Sequence, residues 1–89
     1  MNEKERRRIA LGSYAAMPED RRKQFRERTR EAAQELCADQ GLELTPELVF
    51  RVRLSVLESV AQDVGAVASE HLAAEETERI IAELRAGTA

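Results

Sequence analysis

The chain has 89 residues, with 14 basic and 17 acidic side chains for a formal net charge of −3, one cysteine, one histidine and no tryptophan. Its length suits one small domain, taken here as residues 1–89, and its 3% aromatic content makes any core aliphatic. The lone cysteine excludes an internal disulfide framework and fits a reducing, cytoplasmic setting, and no apolar run approaches the roughly 20 residues of a transmembrane helix.

Helix formers dominate, with 14 Ala, 14 Glu and 12 Arg, and no stretch alternates as a strand does, so the expected class is all-α. The N-terminal 17 residues form a basic arm or a short helix over 3–16. Ile9, Leu11 and Tyr14 make no clean stripe there, Gly12 weakens the middle, and the segment is too weakly apolar for a signal peptide. Met17-Pro18 interrupts it. Pro18 suits a first helical turn, and Glu19 and Asp20 follow where the helix dipole favours acids. The first main helix is therefore expected over about 18–40, with a narrow stripe of Phe25, Thr29, Ala32, Ala33 and Leu36, and Gly41 ends it.

After a tight connection, Thr45 supplies an N-cap, Pro46 the first helical position and Glu47 an early acid. The central helix this opens is expected over about 46–72. At about 100° per residue, Val49, Val52, Val56, Leu57, Val60, Val64, Val67, Ala68 and Leu72 fall within an arc of roughly 200°, wider than a single buried stripe. Gly65 lies at its edge. A third main helix is expected over about 75–86, with Glu75, Glu76 and Glu78 early, Arg79 and Arg85 late and Gly87 beyond the end. Thr77, Ile80, Ile81 and Leu84 form its stripe, and Glu75 can pair with Arg79. Extended along one straight helix, the last two stripes would lie about 140° apart, so a break near 70–75 is expected.

Large apolar residues are uneven: seven in residues 1–41 and thirteen in 42–72. A small chain covers little of its own surface, so the excess predicts a dimeric bundle or a helical protein partner. The expected partner or dimer face is Val49, Val52, Arg53, Val56, Val60, Val64, Val67 and His71. Arg53 falls inside the apolar arc, where it either snorkels or meets a carboxylate across an interface.

Charge is uneven as well. Residues 1–30 carry ten basic and five acidic side chains, net +5, and residues 31–89 carry four and twelve, net −8. The candidate anion-binding residues are Arg6, Arg7, Arg8, Arg21, Arg22, Lys23, Arg26 and Arg30. Arg22, Arg26 and Arg30 repeat at i,i+4, a like-charge spacing that disfavours an isolated helix. They serve either an acidic protein face, nucleic-acid phosphates, or structural pairing with Glu58, Asp63 or Glu70. Phe25, assigned to the core, is the only aromatic among residues 21–30, which disfavours nucleic acid.

No catalytic constellation is evident. His71 and Cys37 lie on different helices, with no glycine-rich turn presenting either; His71 is expected as a packed or interface residue and Cys37 as a small buried apolar one. Ligands for a metal site are too few, and position 68, three before His71, is alanine rather than a ligating glutamate. No cofactor, metal or small-molecule substrate is expected.

The pattern Met17-Pro18, Arg22, Ala33, Gly41 and Leu44-Thr45-Pro46-Glu47-Leu48-Val49 resembles the small C-terminal helical domain of the dark-operative protochlorophyllide reductase B subunit. About one extra turn precedes Gly41 here, no residue matches a cluster ligand, and reductase activity is not implied. Residues 22–40, 46–72 and 75–86 also have lengths similar to the histone fold. Gly41 to Glu47 looks like its first loop and Ala68-Ser69-Glu70-His71 like the end of its central helix, while the second loop is cut short. That resemblance implies head-to-tail pairing and nucleic-acid binding. The expected function is a non-enzymatic, cytoplasmic protein–protein interaction module, an accessory or regulatory subunit. The alternative is a histone-fold-like nucleic-acid binder using the basic N-terminal half.

Overall fold

The computed structural model describes residues 2–63 and 72–86, and every regular element among them is an α-helix. Four helices follow in order: α1 Glu3–Ala15, α2 Glu19–Gln40, α3 Pro46–Asp63 and α4 Ala74–Ala86. Leu72 and Ala73 are non-helical, so the last two stripes belong to separate helices, as their phases require.

Local chemistry sets the ends. The Asn2 side chain accepts the Glu5 amide at 2.8 Å and opens α1. Pro18, with ψ 155°, is the residue before α2 rather than its first helical position. Gly41 closes α2 at φ 66°, ψ 29°, and the Cys37 carbonyl accepts the amides of both Gly41 and Leu42. That left-handed backbone is cheap only for glycine. Thr45 caps α3 as expected, its hydroxyl oxygen accepting the Leu48 amide at 3.2 Å.

α3 packs against all three other helices, and α1 also touches α4. The apolar cluster is built from Ala10, Leu11 and Tyr14 of α1, Phe50 and Leu57 of α3, and Ile80 and Leu84 of α4. α1 is therefore a full core helix rather than the weak arm its uneven stripe suggested. α2 contributes mainly small buried residues, Thr29, Ala33 and Cys37, spaced four apart, which allow its backbone close to α3. Cys37 is buried as expected, whereas Ala32 and Leu36, assigned to the same stripe, are exposed.

On α3 the buried side is Val49, Phe50, Arg53, Leu57 and Ala61. Val56 and Val60, expected within the arc, are 37% and 39% exposed. The arc does exceed what the chain covers, but its covered part is turned toward Phe50, Leu54 and Ala61. Phe50 and Leu54 pack in the apolar cluster with side chains of α1 and α4, which outweigh α2 in apolar bulk. Val64, Gly65, Val67, Ala68, Glu70 and His71 lie outside the described residues.

Candidate interaction face

The antiparallel pair α2–α3 leaves a groove of about 600 Å³ on its outer side. Met17, Phe25, Ala32 and Val56 line its floor, and Arg21 and Arg28 stand on its α2 rim. Val60, one turn beyond Val56, and Leu36, one turn beyond Ala32, extend the apolar strip; Leu36 is 38% exposed and Leu42, at the helix link, 51%. Phe25 is held by Tyr14, the ring centroids lying 5.6 Å apart. The expected partner face is thereby divided. Val56 and Val60 are presented and Val52 is half-buried, whereas Val49 is enclosed by the chain itself.

Arg53 is fully enclosed too. Its Nε–H donates to the Thr29 hydroxyl at 2.9 Å and one Nη to the Arg26 carbonyl at 2.8 Å, while the other Nη donates to the Leu84 carbonyl. The Thr29 hydroxyl donates in turn to the Phe25 carbonyl at 2.7 Å, leaving its oxygen open to the guanidinium. One planar fork thus ties α3 to α2 and to the last turn of α4, where a cation suits the helix dipole. Burial pushes the Arg53 pKa down, and the Arg26 and Arg30 charges act in the same direction. This is neither an edge snorkel nor an intermolecular pair, since the acceptors are inside the chain.

The basic row of α2 also turns inward. Arg26 donates to Glu83 Oε1 and to the Tyr14 hydroxyl, both at 2.6 Å, and Arg22 Nε lies 4.0 Å from the same Glu83 oxygen. Tyr14 donates to that oxygen at 3.3 Å. Burial raises the Tyr14 pKa, the Arg26 hydrogen bond opposing it in part. Burial also works against the Arg26 charge, but Tyr14 and Glu83 outweigh it and raise its pKa. Structural pairing was expected with Glu58, Asp63 or Glu70; the acid found for Arg22 and Arg26 is Glu83 on α4. On α4 itself Arg79 pairs with Glu76 rather than the expected Glu75, with Nε 3.3 Å from Glu76 Oε2.

The eight anion-binding candidates are therefore distributed rather than gathered. Arg26 holds Glu83, Arg22 lies near the same carboxylate at 4.0 Å without a hydrogen bond from its Nε, and Arg30 is half-buried. Arg7 lies over the Phe50 ring at 5.5 Å, with Arg85 at 4.8 Å from the same ring. Arg7 and Arg8 line a second groove, between α1 and α4, with Glu78 on its wall. Arg6, Arg8, Arg21 and Lys23 are exposed. Among the described residues no group of three or more His, Cys, Asp or Glu could hold a metal ion, and no helix is long and apolar enough to cross a membrane.

Sequence reasoning missed Glu83, which is 57 residues from Arg26 and carries no local signal. It also missed Arg28 as part of a surface strip, although Arg21, Arg28, Ala32, Glu35 and Asp39 fall on one face at about 100° per residue. No protein-family model, curated protein or solved structure matches this chain.

Proposed function

We propose that this chain is a non-enzymatic helical interaction module, an accessory or regulatory subunit that acts by presenting its α2–α3 face to another protein helix. The observation that carries this reading is the exposure of Val56 and Val60 along a groove with an apolar floor, with Leu36 exposed further along α2. A single exposed valine is ordinary, but a contiguous apolar strip rimmed by charge marks an interaction surface. The cationic row that a nucleic-acid reading relies on supports it less, because Arg22 and Arg26 are engaged with Glu83.

The test is site-specific photo-crosslinking in the cells that express the chain. A benzoylphenylalanine at position 56 should yield a discrete protein adduct, many-fold stronger than the same probe at position 34, an exposed site on the far side of α2. Equal, diffuse labelling from the two positions would overturn the reading.

A further inference from the structure

The α2–α3 groove bears on what occupies it through the order of charges along its α2 edge. Reading from the N-terminal end, the exposed residues of that strip are Arg21, Gln24, Arg28, Ala32, Glu35 and Asp39. The first half is basic and the second acidic, with the small Ala32 near the middle. Arg21 to Asp39 spans roughly 27 Å at about 1.5 Å per residue.

We propose that the occupant is a second copy of this chain, bound antiparallel across a two-fold axis near Ala32. This rests on the interaction-module reading above and names its partner. In an antiparallel register Arg28 meets the partner's Glu35 while Gln24 meets the partner's Asp39, and the two-fold repeats both contacts. Arg21 lies within one turn of the Asp39 contact. A parallel arrangement would instead set base against base and acid against acid, which is destabilising. The same two-fold lays Val56 and Val60 toward the apolar strip of the other copy, with Ala32 permitting close approach at the crossing. Leu42, the most exposed large apolar residue among the described residues, then falls near the Met17 end of the partner's groove.

The fit is self-complementary in both shape and sign, as an isologous interface requires. The charges that make it so are separate from those used inside the chain, since Arg22, Arg26 and Glu83 lie on the inward side of their helices. The proposed interface therefore costs the fold none of its internal pairs.

Sedimentation equilibrium of the full chain tests the proposal. Wild type should give about twice the 10.0 kDa chain mass at high micromolar concentration. Arg28→Glu and Glu35→Arg should each weaken the dimer on the order of tenfold, because each reversal disturbs two symmetry-related contacts. The double variant Arg28→Glu/Glu35→Arg should restore the wild-type constant. Val60→Asp should leave a monomer with its helical circular dichroism retained. A wild type that stays monomeric at high micromolar concentration would overturn the proposal, as would a dimer indifferent to both charge reversals. A monomer whose position 56 cross-links to a different protein would remove the second copy as occupant while leaving the interaction-module reading standing.

Discussion

Replacing Arg53 separates hydrogen-bond geometry from charge in the interior. Arg53→Met keeps an apolar stem of similar reach and deletes the fork. The Thr29 hydroxyl loses only an incoming donor, because its own proton is already given to Phe25. The Arg26 carbonyl lies inside α2, where the amide four residues on is its regular helical donor. The Leu84 carbonyl, in the last turn of α4, loses the guanidinium donor. A buried acceptor left without a donor costs about 1–3 kcal/mol, and relief of the buried charge offsets the loss of the other two bonds. The expected net loss is about 2 kcal/mol, which lowers the urea midpoint by roughly 2 M for an m-value of about 1 kcal/mol/M in so small a chain. Arg53→Lys should be worse, at about 3–5 kcal/mol. It keeps a buried charge but cannot reach three acceptors on two other helices from one nitrogen. Urea unfolding followed by circular dichroism, at one fixed protein concentration, gives the order wild type, Met, Lys. Lysine matching wild type, or methionine exceeding it, would refute the account.

Gly41→Ala should cost about 1–2 kcal/mol in the same assay through left-handed backbone alone, because nothing lies within 4 Å of the added carbon. Burial raises the Tyr14 pKa above its ordinary value of 10.0, so the folded phenol stays protonated while the unfolded one ionises. Stability should therefore hold below pH 10 and fall as pH rises through the unfolded and then the folded value, and Tyr14→Phe should flatten that decline in melting temperature. Arg26→Glu should lower stability by about 2 kcal/mol, since it sets a second carboxylate against Glu83 and leaves the Tyr14 hydroxyl without its donor. Duplex DNA should show no measurable shift near physiological salt. A shift abolished by Arg22→Glu with the fold intact would favour the nucleic-acid alternative.

Helix ends were legible because caps are made of neighbours in sequence. Gly41 and Thr45-Pro46 each carry their own reason to stop or start a helix. The inward face of α3 was less so. A valine-rich arc shows that α3 must be covered broadly, but which part is covered depends on the bulk that other helices bring. Tyr14 and Leu11 lie on a helix whose stripe looks poor in isolation, so the weight of α1 was invisible. Arg53 stood out inside the arc, yet its acceptors include backbone carbonyls 27 and 31 residues away, which no side-chain pattern announces. The surrender of Arg22 and Arg26 to Glu83 was hidden for the same reason: periodicity fixes a face, not its neighbour.

The charge order of α2 is the feature that a solitary helix explains least. Apart from Glu19, Asp20 and Glu27, the charged residues of its first half are cations; its last half carries Glu31, Glu35 and Asp39 beside Arg30, and its last turn has no basic residue. Glu19 and Asp20 suit the dipole at the N-terminal end, but Asp39 in the last turn is the wrong sign for it, at about 0.3–1 kcal/mol. On the inward side Glu83 supplies a counter-charge for Arg22 and Arg26 from α4. On the outward side Glu31 is one turn from Arg28, but Glu35 and Asp39 lie seven or more residues from Arg28 and Arg21, too distant to reach along the helix. Reversing the helix end for end brings them into register, and a two-fold copy performs that reversal. Internal pairing and antiparallel docking thus account for opposite sides of one helix.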